Sequence, residues 1–574
     1  MTPNGKDRRR KEAVVKMQRH WSAFRAWCLD RYARSWTPRD VEGLQPDPPT
    51  AAPSAADALD AALGAAPVAK RLRMAKLTGP AAALERSLCA VTFRTVPNFD
   101  TDVVVEPDEE ENDVLCRRGT GIVIDAKGGA VLTDRASVPQ PLGDIEVSMG
   151  DVSRAATVTY VHPQHSLVLL RLDGYPAEDA EPFGVDAIFE DKRLEAGDEV
   201  DFVGINARGQ RFASKTTVQD VRLGEFPQHS PPRWREHNLE AVYLAGDAPG
   251  TSSGVICDGE GKVHGLCTVS VSVDDNRAAR TSYCVPTYAL LHILEWTRGA
   301  MSTMCAAPSL GLELRAMELQ RLRRLPARTR PTAEWLARLA AIGETALQVA
   351  GVEAPKCATG ATASAISEND ILVAIDGEVV STAQGAQARL QEALATFQAK
   401  GKEGSATVKV TVLTKGKPRQ VERELELPGS DGARRLMCWH GLVLQDTPRS
   451  VRLMTAAPSG VYISRTMLGS PAEAGGIEGD FVIAVDGAPT PTLDALLELD
   501  RREPVLSNPT PSRACGGDRR HLRLETVDLA GRHNVASLEP DAVFWPTSEL
   551  VQGAQGGAWS YSEPSRGPAR RAAP

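Results

Sequence analysis

The stretch LAGDAPGTSSGVICDGEGKVHGL, Leu244–Leu266, carries the residue type from which nucleophilic chemistry would start. Small residues surround Ser252, and an apolar strand, a turn and a second strand follow. Such a loop exposes a hydroxyl. Its backbone N–H groups, with Gly250 helping to shape the loop, can point at a developing oxyanion. A serine hydroxyl alone attacks slowly. It needs a base within hydrogen-bond reach and a third group that orients the base. His162 and His165 are the imidazoles considered as a base, and their setting in HPQHSLVLLRL reads as two surface side chains at a turn.

The elements that must position Ser252 are short strands. From Ser87 the chain is a series of apolar runs separated by turn residues. GTGIVIDAKGGAVLTD, Gly119–Asp134, reads as a hairpin around Lys-Gly-Gly. Many short strands of this kind predict a sandwich or a pair of barrels. The Pro-rich segment 224–237 reads as a surface loop, and Glu109–Asp113 as a solvated one.

Beyond about residue 300 the pattern mixes helix and strand. TAEWLARLAAIGE predicts a helix capped by Thr332. ENDILVAIDGEVV, Glu368–Val380, predicts a strand, an Asp-Gly turn and a second strand, followed by a long helix over Gly385–Ala399. SPAEAGGIEGDFVIAVDGAPT, Ser470–Thr490, repeats the order, so two copies of one α+β unit are expected.

At 574 residues the chain is too long for a single core. It holds no apolar run of the roughly 18 residues that suggests a membrane span. The charged N-terminus has no apolar segment of the kind a secretory leader carries. Ten Cys without a C-x-x-C pair point to buried thiols rather than a zinc site or a disulfide scaffold, and the ten His show no metal-ligand spacing. No metal or other cofactor is expected. The net charge of −8 gives no global signal for nucleic acid, although residues 1–40 are basic and interleaved with Trp21, Phe24, Trp27 and Trp36. That segment predicts an amphipathic helix, and residues 45–68 a Pro/Ala-rich linker.

GSPAEAGGIEGDFVIAVDGAPT resembles the core of a PDZ domain, and SENDILVAIDGEVV resembles a looser copy with Asn369-Asp370 where Gly-Asp is usual. That resemblance implies two peptide-binding grooves. Their carboxylate-receiving loops would be Leu310, Gly311 and Leu312 in SLGLEL, and Gly441, Leu442 and Val443 in WHGLVLQ. The alternative is that these are first strands whose grooves are filled by self-contacts.

A β-rich domain followed by PDZ repeats resembles the HtrA/Deg family of serine proteases. The resemblance implies a chymotrypsin-like double barrel with Ser252 at the nucleophile position. It places the general base at Ala136 and the orienting acid at Ser166, neither of which can do that chemistry. Ser253 and Val255 stand where the family elbow has Gly and Pro. A shift of register would be needed for His162 or His165 to replace the base.

The likeness is narrower still to the second, degenerate half of the large tandem HtrA-like proteases of plants and fungi, over roughly residues 85–552. It implies a basic helical extension and linker (1–84), a degenerate trypsin-like domain (85–300), PDZ-like domains (305–430 and 435–548) and a disordered tail (549–574). It also implies a pseudoprotease that acts as scaffold and peptide-binding module in protein quality control. The rivals are an active endopeptidase degrading unfolded proteins and an adaptor or chaperone-like protein. Expected partners are unfolded or extended polypeptides, protein C-termini, further copies of the chain and an active HtrA-type unit, within the cell, in nucleus or chloroplast.

Overall fold

The computed structural model describes residues 77–563 apart from 78, 95–115, 176–180, 207–208, 227–233, 247–252, 275–276, 300–307, 354–365, 401–404, 455–459, 468, 503–520, 542–543 and 554–558. The helix expected in residues 1–40, the linker 45–68 and the loop Glu109–Asp113 lie outside them. Residues Leu77, Ala81 and Leu84, assigned to the linker region from sequence, are buried in the core of the first barrels instead. Apolar side chains spaced along the short turn Gly79–Leu84 explain that docking.

Two six-stranded barrels follow, as the strand series predicts. The first contains β1 (Leu88–Arg94), β2 (Cys116–Asp125), β3 (Ala130–Thr133), β4 (Asp144–Met149), β5 (Val152–Val161) and β6 (Val168–Leu172), closed in the order β1-β2-β3-β6-β5-β4. The second contains β7 (Glu199–Ile205), β8 (Arg211–Leu223), β9 (Glu240–Leu244), β10 (Gly254–Cys257), β11 (Val263–Asp274) and β12 (Arg277–Pro286), closed as β10-β11-β12-β9-β8-β7. The predicted hairpin is β2–β3, with Ile122 opposite Leu132. Closure removes the edges that strands this apolar would otherwise offer for aggregation. A helix, α1 (Leu291–Thr297), ends the domain.

Not all of its cysteines are free thiols: Cys267 and Cys284 face each other across β11 and β12 and form a disulfide. The pairing depends on hairpin register, which residue spacing does not reveal.

The next sheet has β13 (Leu312–Glu318), β14 (Thr345–Val352), β15 (Ile371–Ile375), β16 (Glu378–Val379), β17 (Thr407–Thr414) and β18 (Lys417–Glu424), with β13 at one edge. A short helical turn, Leu319–Arg323, and two longer helices belong to it, α2 (Ala333–Ala340), capped as predicted by Thr332, and α3 (Ala383–Ala399). The last sheet has β19 (Arg435–Trp439), β20 (Leu442–Asp446), β21 (Val461–Thr466), β22 (Phe481–Val485), β23 (Ala488–Pro489), β24 (Leu522–Val527), β25 (His533–Leu538), β26 (Ser548–Gln552) and β27 (Trp559–Ser562). Besides the short helical turns Arg449–Arg452 and Pro471–Ala474, its helix is α4 (Leu493–Arg502).

The repeat shows in one turn made twice. Asp376 and Asp486 have φ of 48° and 49°, and the following Gly377 and Gly487 have 87° and 77°. Two successive left-handed residues close a two-residue hairpin, which is why Asp-Gly serves there. Each Asp also accepts a backbone N–H from the next long strand, Lys409 in one copy and Arg523 in the other, both at 2.7 Å.

The disordered tail expected from residue 549 is corrected: β26 and β27 form a hairpin on β19. Trp559 and Tyr561 alternate inward and are buried beside Leu142 of the first barrel, which supplies the apolar surface the tail needs to order. The Trp559 indole donates to Pro141 O at 3.1 Å.

Candidate functional site

Where β3 ends, residues 134–138 turn between the barrels and meet the loop before β6 and the start of β10. Ala136 is half-buried, and its carbonyl accepts from Arg117 Nη1 at 3.4 Å. Ser166 is buried, with Oγ accepting the Arg135 N–H at 3.1 Å and lying 3.3 Å from Thr268 Oγ1. Ser252 and Gly250 lie outside the described residues. Their neighbour Ser253 is buried, and its Oγ accepts the Thr120 N–H at 2.6 Å.

The ionisable group at this point is Asp134, which spacing did not single out. It is fully buried and accepts from Ser137 N and Ser137 Oγ, each at 2.9 Å. Thr268 Oγ1 donates at 3.3 Å to Oδ1, the oxygen that also takes the Ser137 N–H. Burial pushes the Asp134 carboxyl up to about 6, against the pull of hydrogen bonds from Ser137 and Ser253. The cluster is therefore built from hydroxyls around one carboxyl. It can fix the backbone on either side of the barrel junction, but the Ala136 methyl gives no proton acceptor.

The histidines are not at the surface. His162 and His165 are buried and stacked with ring centroids 4.5 Å apart, and His162 meets His292 of α1 at 5.1 Å. They turn inward because segments from beyond the barrels cover this loop: Gln164 Nε2 donates to Ser309 Oγ, Ser430 Oγ accepts the Val161 N–H, and the Asp431 N–H donates to Val161 O. His162 Nδ1 accepts two backbone N–H groups, from Gln164 at 3.1 Å and His165 at 2.9 Å. That nitrogen is committed to the turn. His165 Nδ1 lies 3.2 Å from the buried Glu236, whose carboxylate also accepts from Ser166 N and Tyr283 Oη. The end of segment 224–237 is thus interior, with Glu236 and His237 both buried, because its charged and polar groups complete this layer. Desolvation holds His162 and His237 well below the usual imidazole range and His292 down at about 3.

The second predicted peptide loop is a tight turn. His440 and Gly441 have φ of 47° and 93° and join β19 to β20, with Trp439 opposite Leu442 and Cys438 opposite Val443. The edge of β20 that would receive a peptide is taken by β19, so the expected open receptor is absent here. Met437 and Trp439 of β19 pack with Leu493, Leu496 and Leu497 of α4, where a ligand's side chains would go. Sequence reading placed a carboxylate-receiving loop at Gly441, Leu442 and Val443 and could not see that the strand before it folds back on β20.

The first loop is also engaged. Gly311 donates its N–H to Ser309 Oγ at 3.0 Å, its carbonyl accepts from Glu353 N at 2.8 Å, and Leu310 O accepts from Arg423 Nη2 at 2.7 Å. Leu310 and Leu312 are buried.

Residues 119–266, from the strand before the Asp134 turn to the end of the Ser252 segment, match the trypsin-like peptidase domain model. The chain is similar to Protease Do-like 7 of Arabidopsis thaliana, 25% identical over 470 residues, covering 75% of this chain and 40% of that protein. It is similar to the pro-apoptotic serine protease NMA111 of Eremothecium gossypii, 24% identical, covering 77% and 43%. These matches mark a likeness to the HtrA-type serine proteases. Among solved structures, the HtrA-type protease AlgW with decapeptide aligns over 61% of this chain and 98% of its own, with 14% identity and a TM-score of 0.37. The chain spans about two fifths of the length of the curated relatives it matches.

Proposed function

We propose that this chain is an HtrA-type pseudoprotease unit, a scaffold that binds extended polypeptide segments in protein quality control. One observation carries the reading. The turn that should bring a base to Ser252 offers Ala136, and the buried position that should orient it offers Ser166, already bonded to the Arg135 amide. Without a base, acyl transfer loses several powers of ten in rate. His162 and His165 are buried, and His162 Nδ1 is held by two backbone amides, which argues against a substitute base from that loop. Protein C-termini, a second copy of the chain and an active HtrA-type unit remain the partner classes this role implies.

Incubation of the purified chain with a fluorophosphonate probe and an unfolded casein tests the proposal. The expected result is no labelling and no cleavage. Labelling at Ser252, together with cleavage that Ser252→Ala abolishes, would show a working endopeptidase instead.

A further inference from the structure

The groove of the first α+β unit is already filled, and the filler comes from the second barrel. Leu223, the last residue of β8, belongs to the apolar cluster of that groove, with Leu312 and Leu314 of β13 and Ala383, Ala386 and Leu390 of α3. Asn238 supplies the polar part. Its Nδ2 donates to Leu312 O at 2.7 Å, and its Oδ1 accepts from Leu314 N at 2.8 Å. Residues two apart on an edge strand offer such a pair to an added strand. The Asn238 amide therefore stands in for the N–H and C=O that one residue of an added strand would present, and Leu223 for one side chain. Glu240 accepts from the backbone N–H groups of Ala383 and Gln384 at the start of α3, and Arg235 pairs with Glu313.

The loop end of the groove is not prepared for a carboxylate. The Gly311 N–H is used by Ser309 Oγ. A Glu426 carboxylate oxygen would lie 3.2 Å from a Cβ built on Gly311. Gln387 Nε2 ties α3 to Pro308 O at 3.2 Å. The guanidiniums close by have work of their own, Arg423 on Leu310 O and Arg449 on Ser309 Oγ and Glu353.

We propose that the second barrel is the cis ligand of this groove, and that the outside ligand able to displace it is an internal extended segment with a Leu-like side chain, not a chain terminus. The inference rests on the peptide-binding reading above. The barrel lowers the apparent affinity by the fraction of time the groove is open, so loosening the plug tightens binding without touching the groove.

The test uses the full chain with Asn238→Gly, whose φ of 57° glycine adopts freely, and with Leu223→Ser. A fluorescent Leu-containing peptide with blocked ends and its free-acid twin are titrated by anisotropy. The two peptides are expected to bind alike, and each variant to tighten binding by about tenfold. A tenfold preference for the free acid, or no gain in either variant, would overturn the proposal. Hydrogen exchange separates it from the broader reading. The Leu314 amide is expected to be protected in the wild-type chain and to exchange faster in Asn238→Gly. Equal exchange in both sinks the plug, whereas no peptide binding by any of the chains sinks the peptide-binding reading itself.

Discussion

Arg135 gives its backbone N–H to Ser166 Oγ at 3.1 Å, so the buried hydroxyl at the expected acid position holds the turn that carries Ala136. Ser166 offers its own N–H to Glu236, both oxygens lying at 3.2 Å. Ser166→Ala leaves the Arg135 amide without that acceptor and should cost about 1–2 kcal/mol, read as a lower urea midpoint. Ser166→Asp should cost more, because the new carboxylate would face Glu236 and share Thr268 with Asp134. A variant at least as stable as wild type in either case would refute this role.

Asp134 makes a prediction of opposite character. Its carboxyl is raised from 3.8 to about 6 in the folded chain. The folded state thus holds the proton longer, and stability falls as pH rises from about 4 through 6. A shift of about two units corresponds to roughly 3 kcal/mol. Asp134→Asn keeps an acceptor for the Ser137 amide and removes the charge. Its stability relative to wild type should climb across that window and level off above it, as equilibrium denaturation at several pH values would reveal.

The imidazole layer acts the other way. His162, His237 and His292 are depressed in the folded chain, so unfolding takes up protons once pH drops below about 6.5. Each contributes a slope of about 1.4 kcal/mol per pH unit below that point. Both ring nitrogens of His292 lack a hydrogen-bond partner. His292→Leu should therefore flatten the acid limb by about one such step and cost little at pH 8. An unchanged limb would place the acid sensitivity elsewhere.

Gly441 and Gly377 share a positive φ, 93° and 87°, but not their surroundings. A Cβ on Gly441 would stand 2.0 Å from the Ser470 Cβ, whereas one on Gly377 meets nothing within 4 Å. Gly377→Ala should cost about 1 kcal/mol, from backbone strain alone, and Gly441→Ala clearly more. Thermal melts of the two variants decide it, and equal losses would contradict the account of the β19–β20 turn.

Local pattern carried much of the architecture. Alternation announced the barrel strands, Thr332 announced its helix, and two Asp-Gly turns announced the repeat. Ala136 and Ser166 were visible as residue types at positions a resemblance supplied. What stayed hidden depends on contacts distant in the chain. Nothing near His162 indicates that Ser309 and its neighbours will cover the turn, so a polar loop read as surface became interior. The same holds for Leu223 and Asn238, ordinary residues until β13 is laid against them. The tail was misjudged because its partner, the Pro141–Leu142 segment, lies 418 residues away from Trp559.

That distance has a bearing on synthesis. The first barrel leaves the ribosome long before the hairpin that seals its Leu142 patch exists. Until β26 and β27 are made, the nascent chain carries a bare apolar spot, and a stop codon placed just ahead of β26 would make that spot permanent, yielding a product prone to stick to itself.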